Sequence, residues 1–91
     1  MLKTTDLARL GVAGTIYDFP QAGDELPVHV HSSVDQNHIT IVARGSVRVE
    51  GHPDHAGRIL TAGDIADWPV GIAHGFVAMD DGARIVNIRK A

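Results

Sequence analysis

Cysteine is absent from the 91 residues, which excludes a disulfide framework, a zinc–thiolate site and a thiol nucleophile. That absence suits a reducing compartment, and the expected location is the cytoplasm. Positive charge is also scarce: the formal net charge is −3 and no Lys/Arg cluster occurs, so a nucleic-acid partner has no electrostatic footprint. No apolar run is long enough to span a membrane. The opening MLKTTDLARL carries Asp6 and Arg9 where a secretory leader needs an apolar core, and it does not read as one. What remains is an ordinary globular composition, 44% hydrophobic and 21% charged, in a chain with room for one core, residues 1–91. Ten glycines and four prolines point to many turns and therefore to many short strands.

Residues 1–12 are ambiguous. Thr5-Asp6-Leu7 suits the start of a short helix, while Leu7, Ala8 and Leu10 suit a strand equally well. Thr15–Phe19 alternates and is rich in β-formers, so it reads as a strand ending at Pro20. Leu26–His31 is the next strand, followed by a polar loop over Ser32–Asn37. His38–Ala43 is the clearest strand in the chain, and Arg44-Gly45-Ser46 is expected to turn it into Val47–Glu50 as a hairpin. After the polar loop Gly51–Gly57, strands are expected at Arg58–Thr61, Ile65–Trp68, His74–Met79 and Ala83–Arg89. No confident helix and no tandem repeat emerges. Eight or nine short strands fit an all-β antiparallel barrel or sandwich, not a β-α-β fold.

The chemistry gathers on histidine. In Pro27-Val28-His29-Val30-His31 the two imidazoles share one face of an extended strand and the two valines share the other. Neutral imidazole nitrogen is the commonest protein ligand for first-row transition metals. If strand 38–43 lay antiparallel beside strand 26–31, His38 would stand near His31 at the loop end of that pair. His74 begins a strand directly after the turn Pro69-Val70-Gly71. Strand ends converge at one mouth of a closed barrel, so these distant positions can meet around one ion. His52 and His55 flank Pro53 in a loop and read as loop residues rather than a second site. Thr40 and Phe76 share inward parity with His38 and His74 and are expected to line the pocket, Phe76 chiefly as core packing. Trp68 is expected to close the barrel end or sit in a subunit interface, and Tyr17 is a proton donor only if it reaches the pocket.

The segment Gly23-x5-His29-Val30-His31 … His38-x6-Gly45 resembles the first cupin motif, G-x5-H-x-H-x3,4-E-x6-G. The segment Gly63-x5-Pro69-Val70-Gly71-x2-His74 resembles the second, G-x5-P-x-G-x2-H-x3-N. The resemblance covers residues 23–45 and 63–78, and it implies a small single-domain cupin: an antiparallel jelly-roll (double-stranded β-helix) barrel with a metal inside. Carried over by position, the implied ligands are His29, His31, His38 and His74. Two departures stand out. The motif glutamate is missing, and counting back from Gly45 puts His38 in its place while counting forward from His31 puts Asp35 there. His38 is preferred because inward parity on the strand is tied to the turn at Gly45. Ala78 replaces the second motif's Asn, removing a partner that could orient a ligand.

Three or four neutral imidazoles would leave a divalent ion its full charge and favour an anionic oxygen donor. Such sites are similar to those of thiol and β-diketone dioxygenases and of some small manganese cupins, so iron or manganese is the favoured ion, with nickel, copper and zinc compatible. The resemblance implies a mononuclear metal-dependent oxygenase or related small-molecule metalloenzyme. The alternative is a non-catalytic cupin that holds a small ligand or metal, and a metal-free sugar isomerase or epimerase ranks below both. The expected partners are a small molecule, with anionic oxygen donors the favoured class, and a second copy of the chain, the latter because a barrel this short leaves strand edges open.

Overall fold

The computed structural model describes residues 1–30 and 38–89. Its strands are β1 (Lys3–Asp6), β2 (Gly14–Phe19), β3 (Glu25–His29), β4 (His38–Arg44), β5 (Ser46–Glu50), β6 (Ile59–Thr61), β7 (Ile65–Trp68), β8 (His74–Ala78) and β9 (Ala83–Arg89). They form two antiparallel sheets, one ordered β1-β2-β9-β4-β7 and the other β3-β8-β5-β6. In the ambiguous N-terminus the strand lies earlier than the Leu7–Leu10 reading placed it, at β1, and Ala8–Leu10 form a single 3₁₀ turn whose first amide donates to Asp6 Oδ1 at 2.8 Å. No helix among the described residues is long and apolar enough to cross a membrane.

The period of two decides what goes inside. Phe19, Val42 and Ile85 of the first sheet face Val47, Val49, Leu60 and Phe76 of the second, and all are buried. Inward positions change character along the strands. On β4 they run His38, Thr40, Val42; on antiparallel β9, where Thr40 pairs with Asn87 and Val42 with Ile85, they run Asn87, Ile85, Ala83. One end of the interior is therefore polar and the rest is apolar.

Two sequence expectations about strand neighbours are overturned. β3 and β4 do not pair, because both edges of β4 are taken, one by β9 and the other by β7, while β3 pairs with β8. Nor do β4 and β5 form a hairpin: they belong to different sheets. Gly45 between them is a corner with φ +71°, and a Cβ there would stand 3.1 Å from Ala83 Cα. Glycine both permits the bend and lets the chain pass close to β9.

Strict alternation also fails in β3. Leu26 pairs with Phe76 and His29 with His74, so Pro27 and Val28 together oppose the single residue Gly75. This is a β-bulge, in which one extra residue bends the strand and re-aims the side chains beyond it. Leu26 and His29, three apart, thus both point inward, while Val28 and Val30 are 51% and 54% exposed. The bulged backbone crosses over Gly75, where a Cβ would lie 2.8 Å from Val28 N and 2.9 Å from Leu26 O. Backbone cannot yield as a flexible side-chain tip does. Gly75→Ala is therefore expected to destabilise the protein by about 1–3 kcal/mol, read as a lower urea midpoint with an unchanged slope.

Candidate functional site

His29 is the last residue of β3, His38 the first of β4, Trp68 the last of β7 and His74 the first of β8. All four lie at one end of the barrel. The His29 and His74 ring centroids are 4.6 Å apart, and those of His38 and His74 are 5.5 Å apart. His74 is fully buried and His38 is 5% exposed, whereas His29 is half-buried at the rim. His31 and Asp35 lie outside the described residues.

Two of the imidazoles are held in the same way. His29 Nδ1 is 2.8 Å from the Pro27 carbonyl oxygen, and His74 Nδ1 is 3.1 Å from that of Ile72. A carbonyl only accepts, so Nδ1 donates and carries the proton, and in the neutral ring the lone pair is on Nε2. Anchoring one ring nitrogen so that the other can bind a metal is the usual arrangement at metal-ligating histidines. Each carbonyl sits two residues before its histidine, one within the β3 bulge and the other just before β8.

Around His74 the walls are aromatic and polar. The Trp68 indole stacks on the imidazole at 4.9 Å with planes 9° apart, while Phe76 meets it nearly edge-on at 6.2 Å. The indole N–H donates to Thr40 Oγ1 at 2.7 Å, and Thr40 in turn donates to Asn87 Oδ1 at 2.6 Å. Trp68, Thr40 and Asn87 are all buried, so this chain satisfies polar groups that would otherwise be costly to leave in the interior. Trp68 is thus buried within its own chain rather than exposed for a subunit contact, and at this end of the barrel it forms part of the interior wall. Phe76 is completely buried in the core. Tyr17 packs partly buried against the core, and burial pushes its phenol up, opposed by a hydrogen bond with the Thr15 side chain.

Asn87 belongs to no motif in the sequence, although its parity with Ile85 places a polar residue inside. His52, a loop residue by sequence, is only 7% exposed. Its Nδ1 accepts the backbone N–H groups of Asp54 and His55 at 3.0 and 3.1 Å, organising that loop, and its ring is 5.6 Å from Trp68. An accepting Nδ1 leaves the proton of the neutral ring on Nε2, the opposite tautomer from His29 and His74. His52 is therefore set up to cap a loop rather than to present Nε2 to an ion.

The fold matches solved structures closely. KdgF from Halomonas sp. superposes with a TM-score of 0.74 at 19% identity, over 99% of this chain and 80% of that one. A cupin superfamily protein from Desulfitobacterium hafniense gives 0.77 at 11% identity, over 100% and 79%. An RmlC-like cupin from Shewanella frigidimarina gives 0.68 at 28% identity, over 88% and 67%. The chain has the cupin fold. No family model matches the sequence, and no curated protein is similar to it in sequence.

In this cupin barrel the histidine end fits an ion by the chemistry of its donors, imidazoles with Nε2 lone pairs at His29 and His74 and a third ring close by. Among the described residues, however, no three His, Cys, Asp or Glu form a group placed to hold a metal ion. The polar wall can be tested without any ion. Thr40→Val keeps the shape of the side chain but withdraws the hydroxyl from both Trp68 and Asn87. The expected cost is about 1–3 kcal/mol in urea unfolding, with a changed emission from Trp68, the one tryptophan in the chain.

Proposed function

We propose that this cupin binds one divalent transition ion through His29, His31, His38 and His74, and that it is a mononuclear metal-dependent oxygenase or a related small-molecule metalloenzyme. The observation that carries the reading is the pair of carbonyl-anchored imidazoles at the barrel mouth, 4.6 Å apart by ring centroids. Iron or manganese is the favoured ion, and nickel, copper and zinc suit the same donors. A bound ion of this kind supplies Lewis acidity and, for iron or manganese, electron transfer toward dioxygen or a chelating substrate.

The chain's own residues have separate parts in this. Pro27 O and Ile72 O hold the tautomer and orientation of His29 and His74. Trp68 covers one face of His74 and excludes water from it. Thr40 keeps the Asn87 side-chain oxygen engaged, so the Asn87 amide nitrogen remains the donating end of that side chain. Imidazole ligands add no negative charge, so a small anionic oxygen donor is the favoured class of ligand.

A second reading, a cupin that holds a metal or small ligand without turnover, is favoured by the complete burial of His74 beneath Trp68, which narrows the approach for a substrate. We also infer a homodimer. Strands β1, β7, β3 and β6 are sheet edges, and on the outer face of the first sheet Ile16, Val86, Ile41 and Ile65 form one apolar row across four strands.

Protein purified without an affinity tag is expected to carry about one transition-metal equivalent per chain by elemental analysis. His74→Ala and His31→Ala should each lose it, while His52→Ala retains it. A metal content near zero in protein refolded with iron, manganese, nickel, copper or zinc would sink the proposal. Oxygen uptake with thiols, β-diketones and phenols then separates the oxygenase from the binder, and light scattering should report twice the chain mass.

A further inference from the structure

The outer face of the first sheet carries a second chemical feature at the end of the barrel away from the histidines. Lys3 on β1 pairs with Asp18 on β2, Asp18 with Arg84 on β9, and Arg84 with Arg44 on β4. These four charged side chains thus lie in one row across four neighbouring strands. They line a cavity of about 270 Å³ that is open to solvent and floored in part by Gly82. His38 and Arg44 begin and end β4, so the row lies about 20 Å from the histidine mouth along that strand.

A row that served only to stabilise the sheet would alternate in sign, since like charges directly opposite each other on adjacent strands are unfavourable. Here Arg84 and Arg44 are opposed, and the row holds three cations against one carboxylate, which contacts the two arginines. Asp18 is already committed to Arg84, whose Nε and Nη2 donate to its two oxygens at 2.7 and 3.2 Å. Arg44 is left with a longer contact to the same group, 3.5 Å, and is held instead by its Nε donating to Gly82 O at 2.6 Å. Each guanidinium is therefore fixed along one edge while retaining further N–H donors, and both remain substantially exposed. The flanking Asp80 and Asp81 do not line the cavity, and Asp81 accepts the Ala22 backbone N–H.

We propose that this notch is a binding site for a phosphate group, held by Arg44 and Arg84 with Lys3 completing the positive wall. Arginine matches oxyanions bidentately and keeps its charge at any physiological pH. The local excess of two positive charges matches a phosphate monoester, which carries about −1.5 to −2 at neutral pH; a single carboxylate would leave half of that excess unbalanced. The site stands apart from the histidines, so it neither needs nor supports the metal reading.

The test is a titration of chelator-treated protein with inorganic phosphate at constant ionic strength and pH 7, followed by amide chemical shifts, with acetate as the comparison anion. Saturable shifts at the Gly82 and Arg84 amides are expected in the low-millimolar range, with acetate at least five-fold weaker. Arg44→Gln should weaken phosphate binding ten-fold or more and Arg44→Lys less than that. Asp18→Asn, which removes the competing carboxylate, should tighten it several-fold. A well-dispersed spectrum of each variant confirms folding before the affinities are compared. Absence of saturation up to 50 mM phosphate overturns the proposal, as does equal binding of acetate or an Arg44→Gln affinity equal to the parent's.

Discussion

The close crossing of the β3 backbone over Gly75 is the constraint on which the candidate site rests. Because Gly75 has no side chain, two residues of β3 can oppose one residue of β8. The strand then resumes with its side chains re-aimed. Leu26 joins Phe76 in the core, and His29 comes opposite His74. Proline suits the bulge, where a missing N–H is tolerated, and its carbonyl accepts the hydrogen bond of the His29 Nδ1–H. A local irregularity of the backbone thereby sets which way an imidazole points and which of its nitrogens carries the proton.

Around that point the interior divides. Val42, Ile85, Phe76 and Leu60 supply the apolar burial that holds the two sheets together, a non-directional contribution roughly proportional to area. His38, Thr40, Asn87 and His74 occupy equivalent inward positions nearer the mouth. Those positions contribute less to hydrophobic stability and instead require hydrogen-bond partners, which the Trp68–Thr40–Asn87 chain provides in part. The proposed ion site draws on this division, with polar groups spent at one end of an otherwise apolar interior. The outer surface is divided as well, with charge gathered at the Arg44 end of β4 and an apolar row beside it. The same strand thus carries different chemistry at its two ends.

Much of the fold is legible in the chain. Alternation places most strands, and glycines with proline or acidic neighbours mark the turns, because strand periodicity and turn chemistry are local properties. The inward parity of His38 and Thr40 comes from the same local rule. Pairing does not. The clean alternation of β4 and β5 around Gly45 looks like a hairpin, but the left-handed corner at that glycine sends the two strands into different sheets. Trp68, next to Pro69, reads as a peripheral residue, and only the neighbouring sheet shows that it stacks on His74. His52 and Asn87 carry no strong signal, since each acquires its role from groups distant or unremarkable in sequence.

By itself, the sequence determined an all-β fold with histidines at strand ends and with motif spacings that resemble cupins, since these depend on residue type and on separations of a few positions. Tertiary structure alone decided that β3 bulges against Gly75, that β4 lies between β9 and β7, and that Trp68 faces His74. The physical reason is that alternation specifies which face a side chain occupies but not which strand lies beside it. Neighbours are selected by long-range packing and backbone hydrogen bonds that no short stretch of chain encodes.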